Sequence, residues 1–355
     1  MIGCVIKVNE VDNLVIGGGY FGIYAASNAP KNESVRVIDS QRILQGASKY
    51  NQARLHSGAH YLRSPETIRK CQTDLKFFLE EFGSTLNDTF QSVYALPNHN
   101  NMASPETFEH LMNAHKVNCK PTFSSLLSSS VSPKQFLVSE PTIDHYQMCR
   151  LLLAKLGSNV MIDENIFGLR LVRQSHNNQV LVQYENQEGS FEYRVNKRLI
   201  FAAYDSNPKL ISMLGLTSSN YVIERARILY AFIPQLQHLG FTLVDGQYIS
   251  VIPWGNTGLH SVTSVKHSHS TAQTKDQIDA LIIKHVRSFF ECTLDFYVHE
   301  ERSINKIFWN PNPVFDDRIT SIQRITPDIT ARPQIVALNS SKLSSLHEVR
   351  SIFND

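Results

Sequence analysis

The sequence predicts an α/β fold: a parallel βαβ unit near the start of the chain, with a β-rich region inserted further on. Three observations carry this expectation. Residues 14–22 read Leu-Val-Ile-Gly-Gly-Gly-Tyr-Phe-Gly, an apolar strand running into Gly17-x-Gly19-x-x-Gly22. A helix-like run, Ile23–Ala26, leads to a second apolar stretch, Val35–Ile38, that ends in Asp39. Between about residues 166 and 300, short alternating segments separated by turn residues read as sheet.

Each part of the opening unit has a physical task. Gly17 permits the tight turn out of the strand. Gly19 lets the backbone approach a pyrophosphate with no Cβ in the way, and Gly22 lets helix and strand pack closely. The helix start then offers unpaired N–H groups and a partial positive charge to a diphosphate. Asp39 lies 17 residues beyond Gly22, near the ~20 expected of a carboxylate that binds ribose hydroxyls. Either FAD or NAD fits this pattern; a Gly-rich turn with no ligand is the bland alternative. Ala26, four residues past Gly22, tips the spacing toward FAD.

At 355 residues two domains are expected. A hydrophobic content of 42% with 19% charged residues is ordinary for a globular protein. The net charge of +2 gives no reason to invoke nucleic acid or an acidic membrane. The five cysteines form no CxxC pair, so neither a disulfide framework nor a zinc site is suggested. A reducing cytoplasm is the simplest setting. No apolar run approaches the ~18 residues of a membrane span, and Met1–Lys7 lacks the apolar core of a signal peptide.

Along the chain, residues 41–63 read as an ordered loop with a short helix. Residues 65–82 form a helix, with Ser64 as N-cap and Pro65 in the first turn. Residues 86–140 are mixed and polar, with six serines in 124–132, and look like an excursion from the nucleotide-binding unit. A helix is expected over 142–156. Strands follow at about 166–172, 179–184 and 190–195, with turns at Asn177-Asn178 and Glu188-Gly189, and then a buried strand at Arg198–Ala203. Further strands are expected at Ala226–Ile233, Gln247–Pro253 and His260–Lys266, and a helix at about 274–291. The chain closes with a strand at Ile335–Leu338, a turn, and a helix at Ser344–Phe353.

Four segments in this order resemble FAD-dependent oxidoreductases of the D-amino-acid oxidase and glycerol-3-phosphate dehydrogenase superfamily. They are Gly17–Asp39, Gly46–Gly58 (Gly-Ala-Ser-Lys-Tyr-Asn-Gln-Ala-Arg-Leu-His-Ser-Gly), Leu199–Ala203, and Asn339–Ser345 (Asn-Ser-Ser-Lys-Leu-Ser-Ser). The resemblance implies a Rossmann-like FAD-binding domain of the GR2 type with an inserted β-rich substrate domain. Residues 1–86, 141–207 and 320–355 would form the first; residues 87–140 and 208–319 the second. Ser340, Ser341 and Tyr204 stand where the family usually has glycine.

The resemblance also implies a cofactor-binding set: Gly17, Gly19, Tyr20, Phe21, Gly22, Asp39, Ser40, Ala47, Ser48, Asn51, Gln52, Arg54, Leu55, Phe167, Ala202, Lys342, Leu343 and Ser344. A helix starting near Ser344 could point at flavin N1/O2; Lys342 is either a partner there or a surface lysine. The loop 50–63 is dense in Arg, His and Tyr, and His56, His60, Tyr61 and Arg63 are its candidate catalytic residues. His56 reads as a flavin contact, an acid or base, a covalent attachment point or a structural histidine. Arg54 and Arg63 read as partners for an anionic substrate group or as members of internal ion pairs. Arg63 is the better substrate candidate, whereas Arg54 could brace the loop.

Trp254, His260, His267 and His269 form a second polar group. A metal reading of His267-Ser268-His269, on a strand, lacks a carboxylate or thiol partner. Tyr230 and Tyr248 read as sheet aromatics. No G-x-S-x-G elbow and no P-loop occurs. The expected function is an FAD-dependent oxidoreductase moving a hydride from a C–H of a small-molecule substrate, bearing an amine or hydroxyl, to flavin N5. The alternatives are a flavin-binding protein without turnover and an NAD(P)-linked dehydrogenase. Substrate, electron acceptor and oligomeric state are not readable.

Overall fold

The computed structural model describes residues 8–354 except 100–102, 175–178, 247–248, 271–272, 310–320, 327–329 and 340–341. The turn at Asn177-Asn178, Tyr248, and the serines Ser340 and Ser341 therefore lie outside the described residues.

Two eight-stranded sheets organise the chain. The first has a parallel core in the order Gln334–Asn339, Gly189–Phe201, Val8–Ile16, Val35–Ile38, Val160–Asp163, with Ser321–Arg324 antiparallel at one edge. Its central strands are apolar on both faces, as a parallel sheet covered on both sides requires. Ile16 pairs with both Ile38 and Phe201, so these strands end at one level. The helix Tyr20–Asn28 leaves the sheet there, and Tyr20, Ile23, Tyr24 and Ala25 are buried on the same core as Val37, Ile200 and Val336. Strands Phe167–Arg173 and Val180–Asn186 form a meander with the first half of Gly189–Phe201.

The second sheet runs Tyr297–Trp309, Tyr221–Phe232, His260–Ser264, Ile249–Pro253, Leu239–Leu243, Gln91–Ala95, Gln135–Val138, Cys119–Thr122. All neighbours are antiparallel except Leu239–Leu243 beside Gln91–Ala95. Its covering helix, Lys275–Arg287, starts at a capping box built by Thr274 and Gln277. Among the described residues no helix is long and apolar enough to cross a membrane.

Several expectations change in detail. The helix Pro65–Phe82 has the expected bounds, and Ser64 accepts the Thr67 N–H as its cap. The short helix expected within 41–63 does not form. Side-chain bonds hold that segment instead: Asn51 donates to the carbonyls of Ala47 and Ser48 at 2.8 and 2.9 Å. The helix expected over 142–156 covers only His145–Ala154, because Thr142–Ile143 is a short strand. The two strands expected at 190–195 and 198–203 are one, Gly189–Phe201, shared between the meander and the parallel core. Val265–Ser268 is a helical turn rather than the end of a strand. The last segment, Leu343–Phe353, winds as a 3-10 helix.

Candidate functional site

A cavity of about 880 Å³ lies at the carboxyl ends of the parallel strands, walled on the far side by the second sheet. Its narrow floor is made by the glycines. Gly17 has φ +107°, and a Cβ there would lie 2.5 Å from the Ala202 carbonyl. A Cβ on Gly22 would fall 1.8 Å from the Gly17 carbonyl oxygen, so helix and turn touch only because neither side chain exists. Gly19 differs: its Cβ would meet the Ser48 hydroxyl at 2.9 Å, toward the cavity side. The first turn of the helix Tyr20–Asn28 contains no acid. Its amides have no carbonyl one turn earlier to bond, and Ser48 Oγ takes the Tyr20 N–H at 2.9 Å.

Asp39 stands at the end of its strand. One carboxylate oxygen accepts the Gly18 N–H at 2.6 Å and the other the Gln41 N–H at 2.8 Å. Burial raises its pKa, against the two backbone donors that lower it. The carboxylate thus fixes the glycine loop itself and keeps lone pairs for a ligand. Ser40 and Phe167 line the same end of the cavity; Ala47, Ser48, Asn51 and Gln52 line its middle, with Tyr20, Phe21 and Ala202. Gln52 donates to Thr263 of the second sheet at 2.9 Å.

At the other end stand Arg54, His56, Tyr61, Lys342 and Leu343. Arg54 is buried, and its Nε lies 3.2 Å from Glu140 Oε2. Its Nη2 donates to Ser250 Oγ at 2.9 Å and to Thr242 Oγ1. Glu140 also accepts the Ser57 N–H at 2.7 Å, the Ser57 hydroxyl at 3.2 Å and the Tyr94 hydroxyl. This set holds its pKa far below the usual carboxylate range: the Arg54 charge and the hydrogen bonds outweigh burial, which acts the other way. His56 Nδ1 lies 3.6 Å from Glu140 Oε1. Burial lowers the pKa of His56, while Glu140 raises it and the Arg54 and Lys342 charges lower it further. The His56 ring packs edge-on against Tyr61, 5.4 Å between centroids, and the Lys342 ammonium sits 4.5 Å over the Tyr61 ring.

Five of the expected site residues stand back from the cavity. Gly22 shapes the turn and Leu55 is a core residue. Ser344 is buried beneath the lining, its hydroxyl without a hydrogen-bond partner among the described residues. His60 packs behind His56 and Tyr61, its ring tilted against the first and edge-on to the second. Arg63 is exposed and outside the lining, so its placement corrects the expectation of a substrate-facing guanidinium. Arg54 follows the internal ion-pair alternative while bordering the cavity.

The second polar group disperses. His260 is buried, its Nε2 3.0 and 3.1 Å from the Leu236 and Leu239 carbonyls. His269 Nδ1 lies 3.0 Å from the Arg225 carbonyl, and the helical turn before it removes the strand geometry assumed for His267 and His269. Trp254 packs on Tyr230, whose hydroxyl donates to the Asn51 carbonyl at 3.2 Å.

Residue patterns gave no sign of Tyr94, nor of Glu140, Thr242 and Ser250, which lie 83 or more residues from the loop residues they bond. The wall residues Ile228, Ile304 and Lys306 were also missed. Tyr204 adopts φ +54°, the left-handed conformation that glycine takes at little cost. It does so at the position where the sequence departs from the family pattern.

No protein-family model matches the chain. It is 30% identical over 112 residues to the FAD-dependent monooxygenase FPY4 of Fusarium mangiferae, a match spanning 31% of this chain and 30% of that relative. Among solved structures it resembles glycine oxidase from Geobacillus kaustophilus, with a TM-score of 0.70 and 11% identity over 98% of this chain and 94% of that one. NikD, an unusual amino acid oxidase of nikkomycin biosynthesis, matches with a TM-score of 0.72 and 13% identity over 98% and 94%. The L-alpha-glycerophosphate oxidase of Mycoplasma pneumoniae, with FAD bound, matches with a TM-score of 0.71 and 16% identity over 98% and 94%. The fold expected from the four sequence segments is thus the fold the chain has.

Proposed function

We propose that the chain is an FAD-dependent oxidoreductase acting on a small molecule whose reacting C–H bears an amine or hydroxyl. The observation that carries this reading is the cavity itself. It runs from the glycine turn and Asp39 at one end to His56 and Lys342 at the other, between two sheets. A glycine turn too tight for any Cβ at Gly17 or Gly22, and first-turn amides with no carbonyl one turn earlier, suit a dinucleotide.

In this reading Asp39 would hold ribose hydroxyls, the amides after Gly19 would hold the diphosphate, and residues of 47–52 would line the cofactor between them and His56. Ala202, Lys342 and Leu343 border the ring. When bound, FAD supplies the two-electron acceptor. Arg54 is held by Glu140, Ser250 and Thr242, so it braces the loop against the second sheet rather than searching for a ligand. His56, whose pKa is lowered by desolvation and by the Arg54 and Lys342 charges, is the group placed to take the proton of a substrate hydroxyl or amine. Ile228 and Ile304 of the second sheet give the cavity an apolar wall on that side. The residues 87–140 and 208–319 would then be the substrate-binding part of the chain.

The test is direct. Purified protein should carry a yellow chromophore that acid precipitation releases as FAD, and anaerobic addition of amino acids, hydroxy acids or polyol phosphates should bleach it. Release of a nicotinamide cofactor, or no bound chromophore and no FAD binding, overturns the reading.

A further inference from the structure

Beyond the cavity wall, one buried carboxylate faces the imidazole that borders the cavity. We propose that Glu140 is a positioning residue for His56: its carboxylate fixes the neutral imidazole in the tautomer that carries the proton on Nδ1 and leaves the Nε2 lone pair on the cavity side. The assignment takes its chemical meaning from the oxidoreductase reading above.

The geometry that carries it is specific. Glu140 Oε1 lies 3.6 Å from His56 Nδ1, a buried ring nitrogen with no hydrogen-bond partner among the described residues, so the carboxylate acts on it through its charge. Glu140 cannot turn away. Its Oε2 is held by Arg54 Nε at 3.2 Å and by the Tyr94 hydroxyl, and its Oε1 by both donors of Ser57. All of its other partners donate, so it is an acceptor only, and a ring nitrogen facing it gains by carrying a hydrogen. His56 is confined as well, by the rings of His60 and Tyr61. The charged and titratable groups facing His56 are Glu140, Arg54, His60, Tyr61 and Lys342. Only Glu140 among them is an anion. When Nε2 takes one proton from a substrate hydroxyl or amine, the imidazolium that results already presents its second N–H to this carboxylate. The two cations, Arg54 and Lys342, oppose protonation and keep the resting ring neutral. A carboxylate that orients an imidazole and stabilises its charged form, without itself taking the proton, is an established physical device.

The test reads the ring directly and needs neither flavin nor substrate. Nitrogen-15 NMR of the histidine-labelled protein, with the His56 signals assigned by their loss in His56→Asn, gives the tautomer and the titration midpoint. The neutral ring is expected as the Nδ1–H form in the wild-type protein. In Glu140→Gln the midpoint is expected to fall by about 1 pH unit or more, as loss of an opposite charge at this range implies. A wild-type Nε2–H tautomer, or an unchanged midpoint in a folded Glu140→Gln, overturns the proposal. If Glu140→Gln does not fold, the wild-type tautomer alone decides. Failure of the flavin reading would show itself separately, as absent FAD binding whatever the tautomer.

Discussion

Arg54 and Glu140 form a buried ion pair, Nε to Oε2 at 3.2 Å, with less than a tenth of either residue exposed. It joins the cavity loop to the residue before Pro141, and through Thr242 and Ser250 to the second sheet. Removing one partner leaves the other charged and out of water. Arg54→Met should therefore destabilise the protein by roughly 3–5 kcal/mol, whereas Arg54→Met with Glu140→Gln should recover a large part of that loss. Denaturant unfolding of the two single variants and the double variant measures the coupling. Equal and additive losses would dissolve the pair as an energetic unit.

The same pair sets an acid limit. Glu140 has a folded-state pKa depressed below the ordinary glutamate value of 4.5. Its contribution is complete above the unfolded value and is lost as pH falls below it toward the folded value. Unfolding midpoints followed from pH 6 downward should decline below about 4.5 more steeply in wild type than in the double variant, which lacks this carboxylate.

The glycine turn separates two roles. A Cβ at Gly22 has no space at all, since it would lie 1.8 Å from a backbone oxygen. Gly22→Ala should cost on the order of 3 kcal/mol through forced backbone shifts and lower the yield of folded protein with or without a ligand. At Gly19 the nearest atom is a hydroxyl on a loop, at 2.9 Å. Gly19→Val should keep more of the fold and lose FAD affinity, about 1–3 kcal/mol for each charged hydrogen bond broken. Thermal unfolding and FAD titration of both variants distinguish the roles; full FAD occupancy in Gly19→Val would remove the turn from the cofactor site.

How much of this could be read from residues alone follows from which interactions are local. The strand, turn, helix, strand, acid order of 14–39 is written in consecutive positions, and the structure keeps it. So is the cap at Ser64, which needs only Thr67 and Pro65. Lys342 stands in a segment with a family resemblance and Tyr61 in a loop dense in Arg, His and Tyr, and the fold brings them to one cavity end. Arg54 did not announce its partner: Glu140 is far along the chain, and nothing in Ser139-Glu140-Pro141 marks an acid that will be buried. Arg63 misled for the opposite reason. Its neighbours His60 and Tyr61 turn inward, but the chain has begun the turn into the helix Pro65–Phe82, which leaves Arg63 outside.

That placement gives a further expectation. Arg63→Ala should alter stability by no more than about 0.5 kcal/mol, as exposed substitutions usually do. It should leave both FAD content and the concentration dependence of flavin reduction unchanged. Rapid-reaction measurements with a substrate found by the bleaching screen decide this; a raised half-saturation concentration would return Arg63 to the site.

The last expectation concerns His56 and pH. Its folded-state pKa is lowered from 6.5, first by burial and then by the Arg54 and Lys342 charges, with Glu140 acting against them. A base is competent only when unprotonated, so the reductive rate should rise with pH and level off below pH 6.5, not above it. The same shift favours the folded state at higher pH: the unfolded chain binds the proton more readily, so stability grows through the window between the folded value and 6.5. His145, pushed down to about 4 by burial and the Lys49 charge and bonded to the Tyr20 hydroxyl, adds to that stability effect from outside the His56 end of the cavity. The rate limb and the stability limb therefore have different compositions. His56→Asn should remove the rate limb, lower flavin reduction by roughly 10²–10⁴-fold, and leave the His145 part of the stability limb in place. Stopped-flow reduction and thermal unfolding, each across pH 4.5 to 8, measure the two separately. A rate limb that persists unchanged in His56→Asn assigns the base to another residue.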